Sequence, residues 1–107
     1  NICLNYGGRD EILRAAKALA AECAEGKRSP DTMTEEDISS HLWSAGVPDP
    51  DLVIRPSGEV RLSNFLLWQS AYAEFYVTDV SWPDFSKEDL RKALAAYQGR
   101  SRRFGGV

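Results

Sequence analysis

The stretch DLVIRPSGEVRLSN, residues 51–64, decides the fold that this sequence predicts. Leu52-Val53-Ile54 is an apolar run without polar alternation, which is typical of a strand covered on both faces. Residues 55–59 contain proline, serine and glycine, so the chain turns there and does not continue as sheet. In open α/β sheets, ligands bind in the crevice at the carboxyl ends of the strands. The stretch therefore predicts a buried strand that ends at a ligand site.

Strands and helices alternate on either side of this stretch. Short apolar runs predict two further strands, at residues 2–4 and 75–77. Cap residues and 3.6-residue periodicity predict four helices: from Asp10 to a stop at Gly26, from the N-cap Thr34 to about Gly46, over residues 63–72, and from the N-cap Ser86 onward. This alternation predicts an α/β fold with a layered parallel sheet and helices on both faces.

Two of these helices carry a predicted buried stripe. The stripe of the first helix consists of Ile12, Ala16, Leu19, Ala20 and Cys23, and that of the last helix of Leu90, Leu94 and Tyr97. Three short strands make a poor parallel sheet, because such a sheet needs both faces and most edges covered. We therefore expect residues 1–107 to be the C-terminal part of a single larger domain whose N-terminal half is absent from this chain. A small complete α+β domain is the alternative.

The composition excludes several classes of function. The 107 residues have 13 Lys+Arg and 16 Asp+Glu, so the formal net charge of -3 argues against a nucleic-acid partner held by a general basic field. Two cysteines and one histidine, His41, cannot form most closed zinc sites, and His41 has no partner at ligand spacing. No apolar run reaches the length of a membrane span. We expect a cytoplasmic protein with free thiols.

Charged and polar side chains are concentrated just after the predicted central strand. Arg55, Arg61 and Ser63 offer two guanidinium forks and a hydroxyl, which suit phosphate oxygens, and Ser63 lies where a helix is predicted to begin. The spacing therefore favours a diphosphate-sized site. In the alternative interpretation, the two arginines pair with Glu59 and Asp51, and Ser63 only caps a helix.

Longer motifs of this sequence, taken together, resemble the cis-prenyltransferase family, the undecaprenyl diphosphate synthase-like isoprenyl transferases. The motifs lie in family order along the chain: Asn5-Tyr6-Gly7-Gly8-Arg9, residues 49–69 around DLVIRPSGEVRLSNFLLWQ, Ala71-Tyr72-Ala73-Glu74, Trp82-Pro83-Asp84-Phe85, and residues 100–106, RSRRFGG.

The resemblance implies an enzyme that uses Mg²⁺ and condenses isopentenyl diphosphate onto an allylic diphosphate. Carried over by motif, Arg55, Arg61 and Ser63 would be the catalytic residues that hold the isopentenyl diphosphate. Glu59 would join them in binding the substrate, and Glu74 would hold the metal. Arg103 and Gly105 match a tail motif that reaches the substrate site across a homodimer interface in this family. The apolar residues 65–72 offer a surface that such an interface would bury.

Two departures from the family pattern qualify this expectation. Pro56 stands where many members have threonine, which removes one backbone donor. The Asp-Gly-Asn-Gly-Arg segment that holds the allylic diphosphate in the family is absent, so this chain would supply mainly the isopentenyl diphosphate site. A lipid product would give a peripheral membrane contact. The alternative is a non-catalytic subunit or fragment that binds diphosphate and stabilises a dimer.

Overall fold

The computed structural model of the chain describes residues 1–100. It contains three helices and a parallel pair of strands: α1 (Gly8–Ala24), α2 (Glu35–Ser40), β1 (Leu52–Arg55), β2 (Glu74–Val77) and α3 (Lys87–Gln98). Single 3-10 turns cover Pro30–Thr32 and Trp82–Asp84. The chain forms two compact units. The first contains residues 1–48 and 64–68, and the second contains residues 49–63 and the chain from residue 69. The predicted α/β fold with a parallel sheet is confirmed.

Helix α1 forms the centre of the first unit. It begins two residues before the predicted start, at Gly8, and ends at Ala24, just before Gly26, whose φ of 75° stops a right-handed helix. A Cβ on Gly8 would lie 2.8 Å from Leu67 Cγ, so only glycine allows this close approach. The start of α1 is held by Asn64, whose carbonyl accepts from the Gly8 amide at 2.6 Å and whose Oδ1 accepts from the Arg9 amide at 2.9 Å.

The predicted stripe of α1 is only partly buried. Leu19 is buried as expected, but its buried neighbours on the helix are Ala15 and Glu11, while Ala16 and Ala20 are exposed. The shift arises because the carboxylate of Glu11 turns inward to accept hydrogen bonds. Four side chains of the predicted stripe line an apolar cavity of about 370 Å³: Ala16, Leu19, Ala20 and Cys23. The other lining residues are Pro30, Met33 and Ile38.

Glu11 is a buried carboxylate, 2% exposed, that joins three parts of the first unit. It accepts a hydrogen bond from the Tyr6 hydroxyl and another, at 2.8 Å, from the Trp43 amide. The Tyr6 ring meets the rings of Trp43 and Phe65 edge-on, at centroid distances of 5.9 and 5.4 Å. Burial and the hydrogen bond to Glu11 raise the pKa of Tyr6 to about 12, so its hydroxyl stays protonated and keeps donating.

Helix α2 is shorter than predicted. Its capping box is confirmed, because the Asp37 carboxylate accepts from the Thr34 amide at 2.8 Å. The expected end near Gly46 is wrong: the helix ends at Ser40, and residues 41–46 form turns. An ion-pair network joins this helix to α1, with Arg28 2.6 Å from Asp37 and 3.4 Å from Glu22, and His41 Nε2 2.9 Å from the same Glu22 carboxylate.

Two predicted elements are absent from the described residues. The strand predicted at 2–4 does not form, and its apolar side chains are exposed, because no described strand lies beside it to pair with its backbone. The helix predicted over 63–72 is replaced by turns. Ser63, Asn64 and Leu66 have φ values of 52°, 65° and 46°, and this left-handed backbone cannot belong to a right-handed helix.

The second unit is built on the parallel pairing of β1 with β2. Leu52 lies opposite Glu74 and Arg55 opposite Val77, which confirms the strands expected at 52–54 and 75–77. Helix α3 contacts β2 and begins at its predicted N-cap, Ser86, which forms a capping box with Asp89. Its predicted stripe is wrong, because Leu90 and Leu94 are exposed and the buried residue is Ala93. A short two-stranded sheet covers only this small residue.

The capping box of α2 gives a prediction about pH. The hydrogen bond from the Thr34 amide, supported by Arg28, lowers the pKa of Asp37 below its usual 3.8. The ionised carboxylate therefore stabilises the folded state at pH values above 3.8, and this stabilisation is lost as the pH falls through the lower folded pKa. We expect Asp37→Asn to lower the thermal midpoint at neutral pH and the difference from wild type to shrink in acid. Glu36→Gln, in the same turn, is the control. An equal difference at both pH values would contradict this assignment.

Candidate functional site

The candidate site lies at the carboxyl end of β1. Arg55 is the last residue of the strand, and its carbonyl accepts from the Thr78 amide at 3.0 Å. The following residues, 56–59, form a tight turn closed by the Glu59 amide and the Pro56 carbonyl at 3.3 Å. Its two central residues, Ser57 and Gly58, have φ values of 60° and 68°, as a type I′ turn requires.

This turn is held against the segment that follows β2. The Ser57 amide donates to the Val80 carbonyl and the Gly58 amide to the Thr78 carbonyl, both at 2.8 Å. The two hydrogen bonds tie the turn to the chain that follows β2 and use backbone donors that a free loop would leave to water. The backbone after Arg55 is therefore fixed. The amides that hold the turn belong to Ser57, Gly58 and Glu59, so the missing N–H of Pro56 removes none of these hydrogen bonds.

Arg55 combines a half-buried side chain with an unsatisfied donor. Among the described residues, its Nε is buried and has no hydrogen-bond partner. A buried donor without a partner costs about 1–3 kcal/mol and is uncommon in folded proteins.

Arg61 and Glu59 form an exposed ion pair close to this turn. Arg61 Nη1 lies 2.7 Å from Glu59 Oε2, and the two side chains are 69% and 42% exposed. This contact confirms one part of the alternative interpretation, in which the arginines pair with nearby acids. An exposed pair of this kind contributes at most about 1 kcal/mol, so Glu59 holds Arg61 only weakly. Ser63 is exposed and does not cap a helix, because no helix begins there.

Glu74 lies away from Arg55 within the chain. It is opposite Leu52, at the start of the strand pair, whereas Arg55 is at the far end, about 10 Å away at 3.3 Å per residue. Side chains alternate along a strand, so Glu74 shares a face with Leu52, and Arg55 points to the other face. The structure therefore brings Arg55, Glu59 and Arg61 into one segment and keeps Glu74 apart. Arg103 and Gly105 lie outside the described residues.

A charged partner of Glu74 was not among the residues predicted for the site. Arg100 Nη1 lies 3.3 Å from Glu74 Oε2 and also donates to the Phe75 carbonyl. The sequence alone offers little indication of this pairing, because Arg100 is followed closely by Arg102 and Arg103 and the three cannot be told apart by pattern. Asp84, in the motif Trp82-Pro83-Asp84-Phe85, accepts from the Ser81 hydroxyl at 2.8 Å across the 3-10 turn.

Residues 1–100 contain neither a cluster of metal ligands nor a membrane-spanning helix. In this part of the chain, no three His, Cys, Asp or Glu side chains converge as a set that could hold a metal. His41 is engaged by Glu22 and by the Asp37 carbonyl, 2.8 Å from its Nδ1, as expected for a structural histidine. None of the described helices is long and apolar enough to cross a membrane.

A comparison with protein families identifies the family of this chain. The family model described as putative undecaprenyl diphosphate synthase matches residues 1–105. The chain belongs to the undecaprenyl diphosphate synthase family. The match includes every residue that the structure describes.

The named relatives of this undecaprenyl diphosphate synthase family member are isoprenyl transferases. An isoprenyl transferase of Heliobacterium mobile is 60% identical over 107 residues, which is 100% of this chain and 41% of the relative. An isoprenyl transferase of Listeria monocytogenes serotype 4b (strain F2365) is also 60% identical, with 100% and 42% covered. The chain thus spans about two fifths of the length of these transferases.

A solved structure is similar in fold. Lavandulyl diphosphate synthase from Lavandula x intermedia, in complex with dimethylallyl diphosphate, matches with a TM-score of 0.90 and 46% sequence identity. The match covers 95% of this chain and 44% of that chain. The family expected from the sequence motifs is therefore confirmed, together with its α/β fold.

The turn after Arg55 in this family member gives a second prediction. Gly58 has a φ of 68°, and an added Cβ would lie 3.2 Å from Asp79 Oδ1. We expect Gly58→Ala to lower the free energy of unfolding by about 1–2 kcal/mol, the cost of a side chain in left-handed backbone. Ser57→Ala is the matched control, because Ser57 already has a Cβ at a φ of 60°. Chemical denaturation measures both, and equal effects would argue against a special role for Gly58.

Proposed function

We propose that this chain is the C-terminal part of a cis-prenyltransferase that condenses isopentenyl diphosphate onto an allylic diphosphate in isoprenoid biosynthesis. Membership of the undecaprenyl diphosphate synthase family supports the reaction class. The similar lavender enzyme was solved with dimethylallyl diphosphate, which is an allylic diphosphate. This chain would contribute mainly the site for isopentenyl diphosphate.

One observation carries the proposal: the buried Nε of Arg55, which has no partner among the described residues, stands at the carboxyl end of β1. A diphosphate offers acceptor oxygens for this nitrogen and the rest of the guanidinium fork. The turn at 56–59 fixes the backbone beside it, so little ordering would remain when the substrate binds. Arg61 would join Arg55 as the second cation, released from Glu59, and the Ser63 hydroxyl would donate a further hydrogen bond. Glu59 would orient Arg61 before binding.

The reaction needs no covalent nucleophile from the protein. The allylic C–O bond breaks and its electron pair leaves with diphosphate. The double bond of isopentenyl diphosphate then forms the new C–C bond, and a proton is lost to restore a double bond. The departing diphosphate is a suitable acceptor for that proton. Arg55, Arg61 and Ser63 would hold the nucleophilic substrate in position, which is catalysis by orientation and charge stabilisation.

Mg²⁺ fits this chain only when substrate and water supply most of its ligands. Mg²⁺ is commonly bound through one or two carboxylates together with substrate phosphates and water, and Glu74 is a single carboxylate of that kind. We assign the metal to Glu74, where it would neutralise diphosphate charge when bound. The backbone of Glu74 is fixed in its strand, because the Glu74 amide donates to the Asp51 carbonyl at 2.9 Å.

A homodimer would resolve the separation of Glu74 from Arg55. The two residues occupy opposite ends and opposite faces of the strand pair in one chain. A two-fold arrangement lets the Glu74 of one subunit approach the Arg55 of the other, and the tail residues Arg103 and Gly105 would cross the same interface. We also propose a cytoplasmic enzyme with a peripheral membrane contact through its lipid product.

The substrate site is tested by removing its cations from the full-length protein. We expect Arg55→Ala and Arg61→Ala each to lower kcat/KM for isopentenyl diphosphate about ten- to hundredfold, because a charged hydrogen bond contributes roughly 1.5–3 kcal/mol. Lysine at either position should restore little, because an ammonium cannot form the planar fork. Arg91→Ala, an exposed arginine of α3 paired with Glu88, is the control. Wild-type kinetics in both Arg55→Ala and Arg61→Ala would refute the site.

The homodimer is tested by mixing two variants of reduced activity, Glu74→Gln and Arg55→Ala, under conditions that allow subunits to exchange. If Glu74 serves the site of the other subunit, each mixed dimer contains one site with both lesions and one with neither. Activity should then return towards half of the wild-type value in those dimers. If Glu74 serves its own chain, both sites of a mixed dimer stay damaged and no activity returns. Exchange is verified independently by mass-tagged subunits.

A further inference from the structure

Helix α1 begins without a side-chain cap from its own sequence. Its N-cap residue is Gly7, and the first amides of a helix have no acceptor within the helix. Asn64, which is 55 positions from Arg9, supplies two acceptors. Its carbonyl oxygen accepts from the Gly8 amide at 2.6 Å, and its Oδ1 accepts from the Arg9 amide at 2.9 Å. We call these two hydrogen bonds the Asn64 clamp.

The two glycines of the motif Asn5-Tyr6-Gly7-Gly8-Arg9 leave the space that the Asn64 clamp needs. A Cβ on Gly8 would lie 3.0 Å from the Asn64 carbonyl oxygen and 2.8 Å from Leu67 Cγ. A Cβ on Gly7 would lie 3.1 Å from Asn64 Nδ2. A side chain at either position would therefore press against Asn64. The motif at residues 5–9 thus serves as the receiving surface for an asparagine of the later motif.

The Asn64 clamp holds backbone that a free chain would seldom adopt. Ser63, Asn64 and Leu66 have φ values of 52°, 65° and 46°, in the left-handed region that is unfavourable for a residue with a Cβ. Ser63 and Asn64 are exposed, so packing does little to hold them. Hydrogen bonds must therefore stabilise this conformation, and both bonds of the clamp act directly on Asn64.

We propose that Asn64 is a positioning residue of the substrate site: the clamp that caps α1 also fixes the backbone from which the Ser63 hydroxyl reaches the diphosphate. The inference rests on the proposed role of Ser63. The peptide bond between the two residues is planar, so a fixed Asn64 restricts the backbone of Ser63. Asn64 itself need not touch the substrate. Without the clamp, Ser63 would sample the extended and right-handed conformations that residues with a Cβ prefer.

The test compares full-length wild type with Asn64→Ala, Ser63→Ala and the double variant. Steady-state kinetics use isopentenyl diphosphate, with farnesyl diphosphate as the allylic substrate. We expect Asn64→Ala to raise KM for isopentenyl diphosphate about three- to tenfold, the scale of one hydrogen bond. Both kcat and KM for farnesyl diphosphate should stay within about twofold of wild type. In the Ser63→Ala background, Asn64→Ala should raise KM no further, because the two residues act as one unit.

Ser86→Ala is the control that separates this role from stability. Ser86 caps α3, where its Oγ accepts from the Asp89 amide at 3.3 Å. Loss of a helix cap destabilises the fold in either case, so we expect Asn64→Ala and Ser86→Ala both to lower the thermal midpoint. Only Asn64→Ala should raise KM for isopentenyl diphosphate. Should Asn64→Ala unfold, Asn64→Gly removes the same Oδ1 acceptor and keeps left-handed backbone accessible.

The outcomes that contradict this inference differ from those that contradict the substrate site. If Ser63→Ala raises KM but Asn64→Ala only lowers the thermal midpoint, Asn64 is a helix cap and nothing more. An effect of Asn64→Ala that persists in the Ser63→Ala background also overturns the inference. If Ser63→Ala keeps wild-type KM while the Arg55 and Arg61 variants do not, the inference fails and the arginine site stands. Wild-type kinetics in all of these variants would refute the substrate site itself.

Discussion

The parallel pairing of β1 with β2 is the interaction on which the arrangement of the candidate site depends. Four paired positions fix the register, so Arg55 lies at one end of the strand pair and Glu74 at the other. Beyond the strands, the amides of Ser57 and Gly58 donate to the carbonyls of Val80 and Thr78 and fix the turn. A register shift of one residue would send every side chain to the other face. The positions of the candidate ligands therefore follow from backbone hydrogen bonds.

Both candidate ligand groups are already neutralised by weak partners. Arg61, assigned to an anion, is paired with Glu59, and Glu74, assigned to a cation, is paired with Arg100. Each pair is at least partly exposed, so its contribution to stability is small and its exchange for a ligand costs little. Arg55 differs, because its buried Nε lacks a partner among the described residues. These pairs reduce the repulsion between like charges in the chain itself.

Unusual backbone is concentrated around residues 57–66. Five positions there have positive φ, at Ser57, Gly58, Ser63, Asn64 and Leu66, and only one of them is glycine. Such conformations cost free energy and persist where the surrounding contacts determine them. The turn is held by Thr78 and Val80, and Asn64 is held by the first two amides of α1. The segment that contains the family's most specific motif is thus also the segment whose conformation is least available to a free peptide.

The sequence by itself determined the family, the α/β class, both paired strands and the capping boxes of α2 and α3, because these depend on local patterns of apolar residues, caps and motifs. It wrongly predicted a helix over 63–72 and a strand at 2–4, and it placed Leu90 and Leu94 in a buried stripe although both are exposed. Those depend on which neighbours a segment finds: Asn64 turns to hold α1, and residues 2–4 meet no described strand. The separation of Glu74 from Arg55 and the pairing of Glu74 with Arg100 also required the tertiary structure, because residues 26 positions apart are brought together only by strand register and helix packing.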